Sequence, residues 1–135
     1  MASSNVVIVS ADLEAQQALA SLLDKSGLAS IPASTIKETE SILSQHFISV
    51  ILCSEELPDG GFRDVLRQTT RGLNRVPVVV FSRLADWERY LNVLKDGAFD
   101  CVLYPSSSGE IERVVRNALD CGRPEKAEKV APAAY

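Results

Sequence analysis

What this 135-residue chain lacks is informative before anything it contains. Histidine occurs once, at His46, and cysteine three times, at Cys53, Cys101 and Cys121. An odd number of widely spaced cysteines makes neither a disulfide framework nor a CxxC metal knuckle. Cys53 and Cys101 lie inside apolar blocks and are expected to be reduced core thiols of a cytoplasmic protein. No apolar run approaches the roughly 18 residues of a membrane span. Met1 to Asn5 carries no basic residue, so no secretory leader is expected. There is no basic cluster: 14 Lys+Arg stand against 18 Asp+Glu, a net charge of −4, which argues against nucleic acid as a partner. No GxSxG elbow is present, and no internal repeat.

What is present suits one soluble domain, with 46% hydrophobic residues arranged in alternating patterns. Val6–Val9, Val50–Cys53, Val76–Phe81 and Cys101–Tyr104 are apolar without polar alternation. Such blocks fit strands covered by helices on both faces. A weaker strand, Leu28 to Ile31, is expected to stop at Pro32. Between the strands run amphipathic helices. The first carries Ala15, Ala18, Leu19, Leu22 and Leu23 on one face and stops at Gly27. The second, Thr35 to Gln45, opens with a Thr35-x-x-Glu38 capping box. The third carries Phe62, Val65, Leu66 and Thr69. The fourth carries Trp87, Tyr90, Leu91 and Leu94, a stripe expected to be mostly core. The fifth carries Ile111, Val114, Val115, Ala118 and Leu119, with Ser107 or Ser108 as cap and Gly122 beyond its end. The expected fold is a three-layer α/β/α sandwich: a five-stranded parallel sheet of flavodoxin-like order with five helices. Residues 1–121 form the domain, and 122–135, rich in Pro, Ala, Lys and Glu, form a flexible tail or linker.

In an open parallel sheet, sites lie beyond the carboxyl ends of the strands. The first strand delivers Ser10, Ala11 and Asp12. The third delivers Ser54, Glu55 and Glu56, then Leu57-Pro58-Asp59-Gly60. The fourth delivers Ser82 and Arg83, and the fifth Tyr104-Pro105. These segments, with Val76-Pro77-Val78-Val79-Val80-Phe81-Ser82 and Gly97-Ala98-x-Asp100, stand in order and at the right spacing. Over residues 5 to 121 the chain resembles a response-regulator receiver (CheY-like) domain.

The resemblance implies a signalling module of two-component or phosphorelay type. In that family an aspartate ending the third strand takes a phosphoryl group from a histidine kinase. Two acids after the first strand hold Mg²⁺, a Ser/Thr follows the fourth strand, and a lysine precedes the proline after the fifth. A hard cation needs oxygen ligands, and an acyl phosphate needs a carboxylate. This chain departs at most of those positions. The phosphoacceptor position is Ser54, the two acid positions are Ser10 and Ala11, the lysine position is Tyr104, and the switching aromatic is Cys101. Only Ser82 keeps its type, with Asp12 one place beyond the acid pair. The resemblance therefore implies a degenerate pseudo-receiver, not an enzyme, with no catalytic residue, no metal and no cofactor, acting through protein contacts.

Each site residue also has a plainer reading. Ser54 is a kinase substrate or hydrolase nucleophile, or a small polar cap on an inactive pocket; the sole histidine, His46, lies at the other end of the third strand. Asp12 is a residual metal ligand or, favoured, a carboxylate at the start of the first helix. Glu55 and Glu56 mimic a phosphoryl charge or occupy a solvated loop. The Tyr104 hydroxyl bonds Ser82 or Asp12, or neither. Partners are expected to be a kinase, an output domain or another signalling protein, with neither nucleic acid nor membrane. The resemblance puts docking or homodimerisation on the fourth helix, fifth strand and fifth helix, with Trp87, Arg89, Cys101, Arg113 and Arg116 as interface residues. Two other functions compete. A nucleotide- or flavin-binding protein fails on the first turn, Ser10-Ala11-Asp12-Leu13, which has no glycine for close backbone approach to phosphate. An active phosphoacceptor at Asp12 lacks the surrounding acids and the lysine.

Overall fold

The computed structural model describes residues 5–69, 76–83, 86–104 and 108–121. The expected tail, 122–135, with Gly122, and also Pro105 and Ser107, lie outside these residues. The apolar blocks form five parallel strands: β1 (Asn5–Val9), β2 (Ala29–Ala33), β3 (Val50–Ser54), β6 (Val78–Ser82) and β7 (Asp100–Leu103). Their order, β2-β1-β3-β6-β7, is the flavodoxin-like one. Side chains alternate between faces, so each strand feeds two cores. Val6, Ile8, Val50, Leu52, Val79, Phe81 and Val102 face one layer. Val7, Val9, Ile51, Cys53, Val78 and Val80 face the other. The blocks show no polar alternation because neither face meets water.

Helices α1 (Leu13–Lys25) and α5 (Ser108–Cys121) cover the first face through Ala15, Leu19, Leu23, Ile111, Val114, Val115 and Ala118. Helices α2 (Ile36–Gln45), α3 (Phe62–Thr69) and α4 (Trp87–Lys95) cover the second. The α/β/α layering and the five helices match the sequence expectation.

Several local expectations need correcting. In α1, Ala18 is exposed and Leu22 only half-buried, and Gln16 takes a buried place instead. Pro32 does not end β2 but lies within it, because β2 is an edge strand where a missing N–H leaves fewer ladder bonds unmade. β6 starts at Val78, after Pro77, although the Pro77 carbonyl still accepts from Ile51 N at 3.0 Å. The loop after β3 holds a short antiparallel ribbon, β4 (Glu56–Leu57) and β5 (Gly60–Gly61), so the expected fifth strand is β7.

The largest departure is α4. Its stripe Trp87, Tyr90, Leu91 and Leu94 is not core: Trp87 is 72% exposed, Leu91 is 41% exposed, and only Val93 is fully buried. The helix packs on the edge strand β7, so a narrow strip of it is covered and the rest of the stripe turns outward. Trp87 and Tyr90 stack on each other, ring centres 5.5 Å apart.

Caps set the helix ends. Gly27, at φ +79°, closes α1: its N–H donates to Asp24 O at 3.0 Å and Leu28 N to Leu23 O at 2.9 Å. In α2 the Thr35 hydroxyl accepts from Glu38 N at 3.0 Å, while the Glu38 carboxylate accepts from Ser34 N, one residue before the cap, at 2.6 Å. Asp59, at the tip of the β4–β5 ribbon, adds a cap from a distant part of the chain, accepting from Ile36 N at 2.9 Å and Lys37 N at 3.2 Å. Gly60, beside it, has φ +152°, and a Cβ there would lie 2.3 Å from an Asp64 carboxylate oxygen and 2.6 Å from Ile36 Cδ1.

Two outcomes follow from this ribbon. Gly60→Ala combines strained backbone with a clash and should lower the urea midpoint by the equivalent of about 1–3 kcal/mol. The Ile36 amide bond, with that from Lys37, holds the Asp59 carboxyl below the usual carboxylate range. Its folded value is thus below its unfolded one, so its contribution is present above about pH 4 and is lost as pH falls through the lowered value. Asp59→Asn should therefore be less stable than the native chain near neutrality, and urea titrations should show that gap closing in acid.

Candidate functional site

All five strands end at one edge of the sheet, and there the structure opens into a cleft of about 320 Å³. Ser10 and Asp12 come from the end of β1, Ser54, Glu55 and Glu56 from the end of β3, and Ser82 and Arg83 from the end of β6. Arg89 reaches in from α4. The sequence-expected Ser10, Asp12, Ser54 and Ser82 are thus brought together, whereas Ala11 is exposed and not among the lining residues. Ser54 is half-buried, and Ser10 and Ser82 are buried.

Polar groups at this edge are heavily committed to one another. Ser10 Oγ accepts from Asp12 N at 3.1 Å. Asp12 is the N-cap of α1, with Oδ1 accepting from Glu14 N at 3.1 Å and Ala15 N at 3.3 Å. Its other oxygen, Oδ2, pairs with Arg83 Nη2 at 2.5 Å. The favoured reading of Asp12 as a helix-start carboxylate is the one the geometry supports. Beneath it the buried Gln16 amide donates to the carbonyls of Ala33 at 2.9 Å and of Ile8 and Ser10 at 3.3 Å. It ties the ends of β1 and β2 to α1. Sequence reasoning passed over Gln16; its position next to Ala15 and three before Leu19 on the inward stripe was the available signal.

Glu55 does not occupy a solvated loop. Its side chain is only 18% exposed and pairs with Arg89. That bond and the charge of Glu55, with Asp86 and Glu56 adding, push the Arg89 guanidinium above its ordinary value. Glu56 is exposed. Arg89 therefore faces the cleft, not the outer interface expected of it.

Tyr104 directly follows β7. Its ring meets Phe81 edge-on at 6.1 Å, and the Arg83 guanidinium lies 6.0 Å from its centre. Its backbone N donates to Ser82 O at 2.8 Å. Cys53 is fully buried, and burial pushes its thiol up to about 12. Cys101 is half-buried; desolvation first, then the charges of Glu55 and Asp100, push it up to about 11. Both thiols are held protonated near neutral pH and unreactive.

The donor set does not fit a Mg²⁺ centre. Such a site needs carboxylate oxygens in a fixed octahedral array. Here the β1 end offers one carboxylate, already bound on both oxygens, and among the described residues no three His, Cys, Asp or Glu side chains are grouped to hold a metal. Ser54 and the sole histidine are also kept apart. Ser54 ends β3, while the exposed His46 caps α2 before the opposite end of that strand.

Away from the cleft, Trp87, Tyr90, Leu91 and Leu103 present an outward surface on α4 and β7. Tyr90 donates its hydroxyl to Asp100 Oδ1 at 3.2 Å. Arg113 on α5 pairs with Glu110 and feels the charge of Asp100, which puts it on this side. Arg116 does not join it: it pairs with Glu112 at 3.0 Å and donates to Ser26 O, at the end of α1, at 2.8 Å.

No protein-family model matches the chain. It is 25% identical over 128 residues to Response regulator protein PilR of Pseudomonas aeruginosa, covering 95% of this chain and 29% of that protein. It is 31% identical over 108 residues to the probable transcriptional regulatory protein y4xI of Sinorhizobium fredii, covering 80% of this chain and 48% of that one. The chain thus spans less than half the length of either relative. Among solved structures, the signal receiver domain of a candidate Luxo repressor from Vibrio parahaemolyticus superposes with a TM-score of 0.82 at 15% identity, over 98% of this chain and 99% of that one. The chain therefore has the fold of response-regulator receiver (CheY-like) domains, and it is similar in sequence to a bacterial response regulator and to a transcriptional regulator.

Proposed function

We propose that the chain is a pseudo-receiver: a cytoplasmic signalling module of two-component or phosphorelay type that acts by protein contact, without aspartate phosphorylation and without an enzymatic step of its own. The observation that carries this reading is the spending of the acids. Ser54 ends β3 where an acyl phosphate would need a carboxylate, and Asp12 is engaged by the α1 amides on one oxygen and by Arg83 on the other. A serine ester is a different chemistry, and the one histidine, His46, stands before the opposite end of β3 from Ser54. Tyr104 supplies no cation to pair with a phosphoryl group.

The surface of α4, β7 and α5 is the proposed contact face. It carries two exposed large apolar side chains on α4 and one on β7, Trp87, Leu91 and Leu103, with Arg113 alongside. Tryptophan and arginine concentrate binding energy in interfaces. A kinase, an output domain or a second copy of the chain are the partners this reading implies. Among the described residues no helix is long and apolar enough to cross a membrane.

Two measurements test it. Incubation with acetyl phosphate and Mg²⁺, followed by intact mass spectrometry, should show no phosphoryl adduct; an adduct lost on Asp12→Ala would overturn the reading. Trp87→Ala should weaken self-association or partner binding by about tenfold or more, read by sedimentation or pull-down. No change in either would remove this face from the proposal.

A further inference from the structure

Helix α4 is held in an unusual way. It has nine residues, and Val93 alone is fully buried. A helix this short is marginal by itself, and helices in proteins normally rely on a packed apolar face. Here polar ties take a large share of that role. Arg63 Nε binds Asp96, the residue capping the helix end, at 2.7 Å. Tyr90 donates to Asp100 on β7 at 3.2 Å. Near the helix start, Arg89 pairs with Glu55, the residue after Ser54.

The third tie is the most sheltered ion pair of the molecule's described residues: the side chains are 38% and 18% exposed, against 60% and 34% for Arg63 and Asp96. Sheltered pairs are screened less by salt. Among the described residues, the bond to Glu55 is the one found for the Arg89 side chain. Its Nε is buried and finds no hydrogen-bond partner among the described residues. Removing Glu55 would take away the bonded partner of this guanidinium and leave the weaker pull of the Asp86 and Glu56 charges.

We propose that the Glu55–Arg89 pair is an electrostatic latch that joins the end of β3 to α4 and so fixes how the helix presents Trp87. The cleft and the outward face are then one mechanical unit, with the latch as its joint. This goes beyond the contact-module reading, and its test uses neither a partner nor a phosphoryl donor, so the two fail separately.

Trp87 is the only tryptophan, so its fluorescence reports α4 alone. The full chain and the variants Glu55→Gln, Arg89→Gln and Glu56→Gln are compared by hydrogen–deuterium exchange and by acrylamide quenching. Glu56→Gln removes a charge that adds weakly at Arg89 but is not its bonded partner. Glu55→Gln and Arg89→Gln should each speed exchange in 87–95 by about fivefold and raise Trp87 quenching, with α1 and α5 unchanged. Glu56→Gln should resemble the native chain. Unchanged exchange and quenching in the two latch variants, equal acceleration in α1 and α5, or an equal effect of Glu56→Gln would each overturn the proposal.

Discussion

A parallel sheet must be buried on both faces, and the rest of this molecule follows from that requirement. β1, β3 and β6 are apolar on both sides, so α1 and α5 take one face and α2, α3 and α4 the other. With both faces closed, the carboxyl edge remains, where the strands end and the helices begin. Every backbone group that leaves the ladder there needs a partner. Gln16 supplies one for three carbonyls at once, Asp12 caps α1, and Asp59 caps α2 from the β4–β5 ribbon.

The same edge explains the electrostatics. Acids in such a cleft either remain available for a cation or phosphoryl group, or are satisfied within the protein. Here Asp12 and Glu55 are satisfied internally, by Arg83 and Arg89. The two arginines supply positive charge across the cleft. The result is a cleft whose charges hold its walls together.

Much of the fold was legible in the residues because the signals were local or periodic. Val6–Val9 and Val50–Cys53 could be placed in a covered sheet since no polar residue interrupts them. The Thr35–Glu38 capping pattern and the Gly27 stop depend only on neighbours along the chain. Ser10, Asp12, Ser54 and Ser82 could be put at one edge because parallel topology carries strand ends there. Less legible were features set by contacts between distant segments. The Trp87–Leu94 stripe has helical spacing, but spacing does not reveal that an edge strand covers only a strip of the helix. Arg89 and Arg116 look like any surface arginine until Glu55 and the α1 end are beside them.

By itself, the sequence determined the layers and the strand order, because hydrophobic periodicity is a property of the chain. Tertiary structure alone decided the partners of the charges and the side of α4 that meets water. Those depend on which side chains arrive at the same place from segments tens of residues apart, as Asp12 and Arg83 do across 71 positions. Ion pairing falls steeply with distance and exposure, so no count of acids and bases could have assigned them.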